Sequence, residues 1–384
     1  MLVRGLVVTL ILSFMNLYIA NRFKARIDPG NLWACLAALF FFLFFVAQMF
    51  WPVNGFILRG LLSGSPLIEM LTRISFVALG IFSCLLIYTM ARDLVYIALS
   101  FISKDAALRF YGIYSLIFVM GLTSVNVLVG LSGALSVPVV HRLDVPLAKL
   151  APAFDGLTIA QLSDIHIDSF LGKDFLDGVA KTVKELNPDM LVLTGDIADT
   201  YSTEGIAEIA ALREITPPYG KYYVTGNHEY YWDAKGWESA MTQTGFTVLT
   251  NSHSLIEKDG QHLAIAGVPD PTSVVIKEPP LTNFAAARAG IPDEAVKIIL
   301  SHQPQLVRLA QQEGFDLQLS GHTHAGQYFP FTLIIRLFQK YTHGLYNVKD
   351  MKLYVNKGTG FWGPPLRTGG AGEITLLTLR ARKE

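Results

Sequence analysis

Five short segments of this sequence follow an apolar run and present residue types that bind metal ions. In chain order they supply Asp164 and His166, then Asp196, then Asn227 and His228, then His302, and finally His322 and His324. Carboxylate, amide and imidazole groups provide the oxygen and nitrogen ligands that divalent cations take. One Asp-x-His triplet usually marks only a surface turn, whereas five such segments in succession predict a shared metal centre.

The first segment, Gln161 to Asp168, places Asp164 and His166 two residues apart. Side chains at that spacing lie on the same face of an extended strand. We therefore predict that an extended strand directs this carboxylate and this imidazole toward one point. Asp168 is expected either to lie behind them or to be exposed.

Short apolar strands are the elements that must position these residues. We predict strands at 139–147, 157–162, 190–193, 222–224, 247–249, 254–257, 262–266, 296–300, 317–319, 345–348, 352–355 and 373–379, and helices at 175–186, 206–215, 237–242 and 304–312. In layered α/β folds, ligand sites lie beyond the carboxyl ends of the strands, where the five segments begin. Glycines at positions 195, 226 and 321 are typical of turns that bring the backbone close to a site.

The overall composition excludes some functions. Lys plus Arg and Asp plus Glu both number 31, so no net field attracts nucleic acid, and no nucleic-acid partner is indicated. Cys35 and Cys84 lie in apolar runs and indicate neither a disulfide framework nor a thiolate metal site. With 384 residues, the chain is long enough for two domains.

The excess of apolar residues lies in the first third of the chain. Four apolar runs, at about 5–20, 32–51, 74–90 and 110–137, each approach the roughly 20 residues that cross a bilayer core. We predict a transmembrane region of four helices over residues 1–138, followed by a globular domain over residues 139–384. The first run could instead be a cleaved signal peptide, since Arg4 precedes it. Asn126 is the polar group expected at mid-membrane, which favours an anchor over a transporter.

The loops between the apolar runs predict an orientation. The loops that follow the first and third runs carry six basic residues: Arg22, Lys24, Arg26, Arg92, Lys104 and Arg109. The opposite side of the membrane carries three: Arg4, Arg59 and Arg73. The more basic side is expected to be cytoplasmic. With four crossings, the globular domain of this multi-pass protein then lies on the extracytoplasmic side of the cell membrane. Arg142 and Lys149, just after the fourth run, act against this assignment.

The motifs D-I-H, G-D-I-A-D, G-N-H-E, S-H-Q and G-H-T-H occur in an order that resembles the calcineurin-like metallophosphoesterases, over residues 139–384. The apolar runs ahead of them, and the segments G-T-G-F-W-G-P-P-L-R and G-E-I-T-L-L-T-L behind them, are similar to a membrane-anchored bacterial branch described as YkuE-like or YaeI-like. The resemblance implies a multi-domain fold, in which two packed mixed β-sheets flanked by helices form an α/β/β/α sandwich after the four transmembrane helices. The Gly-Gly-Ala-Gly stretch at 369–372 departs from a linker that contains more proline in the branch.

The resemblance also implies two sets of metal ligands. One divalent cation is expected to bind Asp164, His166, Asp196 and His324, and a second to bind Asp196, Asn227, His302 and His322. A carboxylate shared by both cations, here that of Asp196, suits a separation of about 3.5 to 4 Å. All ligand atoms are nitrogen or oxygen, which is compatible with Mn²⁺, Fe, Zn²⁺, Co²⁺ or Mg²⁺. The resemblance favours Mn²⁺.

The implied reaction is hydrolysis of a phosphoester. A water that bridges the two cations is expected to attack as hydroxide, because even one cation can lower the pKa of a bound water to about 7. His228 resembles the family histidine that contacts the phosphoryl group or protonates the leaving group, and Asp199 would orient it. Glu229 is expected to support this loop.

Three further residues are candidates for contact with the substrate. Tyr230 belongs to an aromatic run with Tyr231 and Trp232, and Trp362 and Arg367 lie in the C-terminal G-F-W-G-P-P-L-R loop. The substrate is expected to be a phosphodiester, a pyrophosphate or a phosphomonoester, and the membrane spans suggest one that is carried by lipid. The alternative function is a membrane sensor or scaffold that binds metal or phosphate without turnover.

Overall fold

The computed structural model describes residues 2–24, 32–56, 65–168 and 170–381. The chain forms two compact units, of which the first comprises Met1–Ser132 with Gly363–Thr368 and the second comprises Gly133–Trp362 with Gly369–Glu384. The predicted boundary after residue 138 lies shortly beyond the observed division. The return of Gly363–Thr368 to the first unit is not predicted by the sequence.

The first unit is helical. Its elements are α1 (Leu2–Lys24), α2 (Leu32–Phe56), α3 (Pro66–Ser100), α4 (Lys104–Phe110) and α5 (Ile113–Ala134), the last of which ends just beyond the unit. Among the described residues, three helices are long and apolar enough to cross a membrane, over Leu6–Phe23, Pro66–Ser100 and Ile113–Ala134. In α2 the described apolar stretch is the shorter Ala38–Phe50. The fourth predicted crossing therefore stays a prediction.

Helix α3 is longer than the apolar run at 74–90 from which it was predicted. It begins with Pro66 in its first turn and continues past Arg92 and Asp93, which the apolar pattern excludes. The Arg92 side chain is buried because it bonds Ser115 Oγ at 2.7 Å and the carbonyl oxygen of Tyr111 at 3.0 Å. Hydrogen bonds to Ser115 and Tyr111 thus allow α3 to continue through the charged residue Arg92, beyond the end of its apolar run.

Polar side chains link the helices of the first unit. Asn16 of α1 donates to Gln48 of α2 at 2.9 Å, and Asn126 of α5 donates to the Tyr88 hydroxyl of α3 at 2.8 Å. Bonds of this kind hold apolar helices together in a bilayer, where the hydrophobic effect does not. Asn126 therefore has a structural role as a bond between helices, consistent with an anchor.

The second unit contains two six-stranded sheets. Its strands are β1 (Val139–Leu147), β2 (Thr158–Leu162), β3 (Met190–Thr194), β4 (Lys221–Val224), β5 (Thr247–Val248), β6 (Ser252–Lys258), β7 (Gln261–Gly267), β8 (Val296–Leu300), β9 (Leu317–Ser320), β10 (Gly344–Val348), β11 (Met351–Val355) and β12 (Glu373–Ala381). The strand orders are β1-β12-β2-β3-β4-β5 and β10-β11-β9-β8-β7-β6. Strands β2, β3 and β4 are parallel, as are β7, β8 and β9, whereas β12 with β2 and β10 with β11 are antiparallel. Both sheets are therefore mixed, as predicted.

The alternation of side chains along the strands builds the layers. In β3, Met190 and Val192 face the core between the sheets, whereas Leu191 and Leu193 face the outer helices. All four are fully buried, because a central strand with both faces covered is apolar throughout. The second sheet has a corresponding outer core, and the predicted α/β/β/α sandwich is confirmed.

The outer layers are made by helices of ordinary to short length. They are α6 (Lys173–Leu186), α7 (Ser202–Gly205), α8 (Asn227–Trp232), α9 (Ala234–Gln243), α10 (Thr272–Ile276), α11 (Phe284–Arg288), α12 (Val307–Gln312) and α13 (Phe331–Phe338). The helix predicted at 206–215 is found over Glu208–Glu214 and is a 3₁₀ helix. Its buried residues Ile209 and Leu212 are three apart, a spacing that either type of helix places on one face.

Candidate metal centre

The predicted ligands lie just beyond the carboxyl ends of five strands. Asp164 follows β2, Asp196 follows β3 and Asn227 follows β4 in the first sheet. In the second sheet, His302 follows β8 and His322 follows β9. Because the strands within each set are parallel and the two sheets pack face to face, these ends meet at one edge of the sandwich.

The first group of ligands contains Asp164, His166 and His324. The Nε2 atoms of His166 and His324 are 3.0 Å apart, and His324 Nε2 is 3.4 Å from Asp164 Oδ1. His166 Nε2 also lies 3.7 Å from Asp196 Oδ2, which connects this group to the second. The four residues implied for one cation are therefore together.

The second group is centred on His302. Its Nε2 atom is 3.1 Å from Asp196 Oδ2, 3.2 Å from Asn227 Oδ1 and 3.2 Å from His322 Nδ1. These residues are the set implied for the second cation, and Asp196 also lies near His166 of the first group. The structure thus brings all seven predicted metal ligands together.

The chemistry of the donor atoms fits cations. His302 Nδ1 lies 2.7 Å from the carbonyl oxygen of Thr194, which can only accept, so Nδ1 carries a proton. In the neutral imidazole, Nε2 then offers a lone pair toward the oxygen atoms of Asp196 and Asn227. Lone pairs that converge in a buried site need a cation among them.

Without a cation, protons take part of its place: although burial lowers the pKa of His302, Asp196 raises it well above its ordinary value. Burial raises the pKa of Asp164, because a carboxylate without solvent is costly. Burial, reinforced by His302, lowers the pKa of His322 to about 3. A neutral imidazole beside buried carboxylates is the protonation state in which these side chains bind a divalent cation.

The backbone at the ligands is not the extended strand that we predicted for the first segment. Strand β2 ends at Leu162, and Asp164 and His166 have left-handed φ angles of 51° and 53°. Backbone bonds to the neighbouring loop impose this geometry, since the amide of Asp164 donates to the carbonyl oxygen of Gly195 at 3.0 Å and that of His166 to Asp196 at 3.1 Å. The prediction of a common face is therefore wrong, although the two side chains do converge.

Left-handed backbone recurs among the ligands. Positive φ angles are also found at Asp196 (53°), His322 (74°) and His324 (48°). Each costs of the order of 1 to 3 kcal/mol in a residue with a side chain. Such strain persists at functional sites, where the surrounding structure fixes the ligand direction.

The predicted glycines allow the loops to approach one another closely. A Cβ atom on Gly226 would lie 2.1 Å from Asp196 Oδ1, and one on Gly321 would lie 2.1 Å from Asp164 Oδ2. Gly195 has a φ of +88° and faces Gly226. A side chain at these positions would displace a ligand carboxylate.

His228 lies beside the ligands and contacts Asp199, as predicted. Its Nδ1 atom contacts Asp199 Oδ1, and its Nε2 atom lies 4.0 Å from Asp196 Oδ2. Burial alone lowers the pKa of His228, but Asp199 and Asp196 raise it to about 9. The other oxygen of Asp199 is 3.3 Å from Nδ1 of His166, so this carboxylate orients one ligand as well as His228.

Two acidic residues support the centre from behind. Glu229 accepts from the amides of Asp196 at 3.0 Å and Ile197 at 2.7 Å, which confirms its expected role in the loop. Asp168 is partly exposed and accepts from the amide of Leu171 at 3.0 Å, so it fixes the chain beyond His166.

Asp270 is a residue that sequence reasoning missed. It is buried and accepts from the amide of Thr272 at 2.8 Å and from Gln303, the neighbour of His302, at 3.1 Å. Burial raises its pKa. It follows the end of β7, so the strand-end rule that pointed to the candidate ligands would also have pointed to it.

Comparisons with known proteins agree with this geometry. A calcineurin-like phosphoesterase profile matches residues 157–326. An uncharacterized metallophosphoesterase of Campylobacter jejuni is 32% identical over 391 residues, which cover 100% of this chain and 99% of that protein. The chain belongs to the calcineurin-like phosphoesterase family. This family hydrolyses phosphoesters with divalent metal ions, and the His and Asp groups described above are its candidate ligands.

Two further relatives place the phosphoesterase among similar proteins. A Danio rerio protein, named as a transmembrane protein with a metallophosphoesterase domain, is 34% identical over 67% of this chain, which spans 61% of the length of that relative. The uncharacterized metallophosphoesterase YkuE of Bacillus subtilis is 34% identical over 59% of this chain and 80% of its own length. The predicted resemblance to a YkuE-like branch is thereby confirmed.

Two exposed aromatic rings border His228 of the phosphoesterase. The Trp362 ring lies 5.7 Å and the Tyr231 ring 5.1 Å from the imidazole, centre to centre, and both side chains are about half exposed. The predicted Tyr230 instead lies with its hydroxyl 3.4 Å from Thr225 Oγ1. Tyr231 is therefore the member of the aromatic run that reaches the centre.

Arg367 belongs to the helical unit of the phosphoesterase. Its side chain is buried, and its amide donates to the carbonyl oxygen of Gly130 at 2.8 Å. Leu366, next to it, packs close to Gly80 and Gly130. Contact between Arg367 and substrate stays a prediction.

Proposed function

We propose that the protein is a membrane-anchored, two-metal hydrolase whose substrate is a phosphodiester or a pyrophosphate carried by lipid. The observation that carries the proposal is that the seven candidate ligand side chains lie together, with Asp196 close to both His166 and His302, and that Asp199 holds His228 beside them. A sensor or scaffold that binds metal or phosphate without hydrolysis does not need the His228–Asp199 pair. The sensor or scaffold alternative is therefore the less favoured reading.

The residues divide the work of the reaction. Asp164, His166, Asp196 and His324 would hold one divalent cation, and Asp196, Asn227, His302 and His322 the other. When bound, the two cations supply positive charge that lowers the pKa of a water and offsets the charge of the phosphoryl oxygens. We expect the metal to be Mn²⁺, because the candidate ligand atoms are nitrogen and oxygen and the family resemblance favours Mn²⁺.

His228 is the proposed general acid. Asp199 receives Nδ1–H, so the imidazole presents Nε2 toward the shared carboxylate, where a leaving oxygen would need a proton. In the metal-free protein Asp199 raises the pKa of His228 against the effect of burial, which favours the protonated imidazole that a general acid needs. Proton transfer by such a group is worth about 10² to 10⁴ in rate.

The membrane helices and the aromatic side chains beside His228 support the proposal that the substrate is carried by lipid. Tyr231 and Trp362 offer apolar surface beside His228, to which the apolar part of a substrate can pack. The three helices that can cross a membrane hold the enzyme where lipid substrates are.

We further propose four membrane crossings, with the catalytic domain on the extracytoplasmic side. What supports the fourth crossing is the alternating direction of the helices. Phe23 of α1 packs on Phe41 of α2 while Asn16 bonds Gln48, an antiparallel register, and Ser75 of α3 bonds the Gln48 carbonyl. Arg22, near the end of α1, pairs with Asp93, near the end of α3, so α2 must return the chain between them.

Hydrolysis of model esters tests the activity. The full chain, purified in detergent and supplied with Mn²⁺, should cleave bis-p-nitrophenyl phosphate faster than p-nitrophenyl phosphate, and Asp196→Ala should abolish both activities. Absence of metal-dependent cleavage of either ester, or of a pyrophosphate, by fully metallated protein would favour the sensor. Faster cleavage of the monoester would replace the diester assignment.

A reporter fused after residue 384 tests the orientation. Alkaline phosphatase, which folds in an oxidising compartment, should be active in this fusion, and green fluorescent protein should be dark when it is exported through the general secretory route. The reverse result would place the domain in the cytoplasm. Fusions after residues 26 and 104 are the controls, because both loops are expected to be cytoplasmic.

A further inference from the structure

Helix α13, Phe331–Phe338, exposes an apolar face that the catalytic centre does not use. Leu333 is 57% exposed, Leu337 is 80% exposed and Phe338 is 79% exposed. None of its eight residues is buried. Surface helices of a soluble domain bury such residues against the core, but within the part of the chain that the structure describes nothing covers these side chains.

The exposed residues share one side of the helix. Leu333 and Leu337 are four positions apart, as are Ile334 and Phe338, so they form two adjacent stripes. Arg336 and Lys340 are exposed beside them. The whole segment 317–349 contains no Asp or Glu, so its charge is entirely positive.

The segment that carries α13 is attached to the metal centre. The segment begins at the candidate ligands His322 and His324. It comes back to them at Thr342, whose carbonyl oxygen accepts a hydrogen bond from the hydroxyl of Thr323. Gln327 bonds the backbone of Trp362 twice, at 2.9 and 3.0 Å, and the Trp362 ring borders His228. The apolar helix is therefore fixed to the same framework as the catalytic residues.

We propose that α13 is a membrane-docking helix, whose apolar face enters the interface of a bilayer that contains anionic lipids. Apolar and aromatic side chains on one side of a helix, with basic residues next to them, are the features of helices that lie in a membrane interface. The start of β1 lies close to the bilayer that the proposed anchor crosses. Residues 135–138 alone join α5, which can cross a membrane, to β1, and four residues span at most about 14 Å.

The inference deepens the proposed function, on which it rests for the membrane anchor. Docking of α13 would hold the entrance at His228 and Trp362 next to the lipid headgroups. The phosphoester of a lipid-carried substrate could then reach the ligands without leaving the bilayer. A soluble ester would gain nothing from the same contact.

Fluorescence quenching tests the docking directly. In the full chain with Cys35→Ser and Cys84→Ala, Leu337→Cys is labelled with bimane and reconstituted into nanodiscs that contain phosphatidylglycerol and a nitroxide-labelled lipid. The matched control is Asp259→Cys, an exposed position in the turn before β7, at the opposite end of the strands from the metal ligands. We expect the emission at position 337 to fall at least about twofold with nitroxide lipid and that at 259 to be unchanged.

The outcomes of this experiment distinguish contact of the apolar face of α13 with a bilayer from contact with water or with protein. Loss of quenching when Leu333→Glu is added would support insertion. Water-like emission at 337 without quenching would overturn the proposal, and so would blue-shifted emission without quenching, which would indicate coverage by protein or a second copy. Metal content and circular dichroism of each variant confirm that it is folded.

Kinetics distinguishes failure of this inference from failure of the proposed function. Leu333→Glu with Leu337→Glu should lower kcat/KM for a vesicle-borne phosphodiester by at least about tenfold, because two apolar contacts with the bilayer are lost. The rate with bis-p-nitrophenyl phosphate should be unchanged. Equal rates of variant and parent on the vesicle-borne substrate would overturn the docking, whereas absence of activity on both substrates in the parent would overturn the proposed function alone.

Discussion

The Nε2 atoms of His166 and His324 lie 3.0 Å apart, although 158 residues separate them in the chain. Two imidazole nitrogens at this distance repel each other when both present lone pairs, unless a proton or a cation lies between them. His324 Nε2 also faces Asp164 Oδ1 at 3.4 Å. The fold therefore gathers ligand atoms that are stable together only when a positive charge is shared among them.

Loss of the shared carboxylate should weaken metal binding at both positions. Asp196→Asn keeps the volume of the side chain but removes the charge that both groups use, so metal content should fall from two per chain to one or fewer. Activity should fall by at least about 10³-fold, because the charge that stabilises the transition state is lost. Inductively coupled plasma mass spectrometry and ester hydrolysis measure the two effects.

Asp144→Asn is the matched control for that substitution. Its side chain is 64% exposed and pairs with Arg380 on the surface, so metal content and activity should stay at the parental values. Retention of two metals by Asp196→Asn would contradict the assignment of a shared ligand.

Replacement of His228 should reduce turnover without loss of metal. His228→Asn removes the proton donor, and kcat should fall by about 10² to 10⁴ while both metals stay bound. His141→Asn, an exposed histidine of β1, should have no effect. If the leaving group is made more acidic, the defect of His228→Asn should shrink, and an undiminished defect would argue against acid catalysis.

The His228–Asp199 pair predicts a pH dependence for the metal-free protein. The pKa of His228 is raised from its ordinary 6.5 to about 9. Because the folded value is the higher one, the stabilisation by this pair is complete below pH 6.5 and is lost as the pH rises through about 9. Thermal unfolding in the presence of a chelator should show this loss in the parent.

Asp199→Asn should remove that dependence. Histidine-selective NMR should then find the pKa of His228 close to its ordinary value, and the unfolding temperature should no longer fall between pH 6.5 and 9. Divalent cations should lower the pKa of His228 in the parent, since two positive charges nearby disfavour the imidazolium. A pKa near 6.5 in the metal-free parent would be inconsistent with the contact between Nδ1 and Asp199.

The close approach at Gly226 predicts a selective defect. Gly226→Ala would place Cβ 2.1 Å from Asp196 Oδ1 and 2.5 Å from the Asp196 amide, so the ligand must move. Metal affinity should fall, and the free energy of unfolding should decrease by about 1 to 3 kcal/mol. Gly369→Ala, where nothing lies within 4 Å of the added Cβ, is the control and should behave as the parent. Equal metal affinity of the two variants would show that the loops tolerate displacement.

The sequence by itself determined the strands and the candidate ligands that follow them. Strand β8 was predicted at 296–300 and is found at Val296–Leu300, because a short, fully buried strand has a strong local signal in its apolar run. Parallel strands end at one edge of a sheet, so Asp196, His302 and His322 could be placed together before their contacts were known. The four apolar runs and the family resemblance were equally local, because hydropathy and motifs are read directly from the chain.

Only the tertiary structure decided how those residues are held. The left-handed backbone at Asp164 and His166 follows from bonds to the next loop, which the apolar pattern of the preceding strand does not reveal. Whether Tyr230 or Tyr231 meets His228 depends on the rotation of α8 against the sheets, which neighbouring residues of the same type cannot encode. The exposure of Leu337 also depends on packing, because a periodic apolar face is typical of a buried helix and only the arrangement of the described elements leaves this side chain exposed.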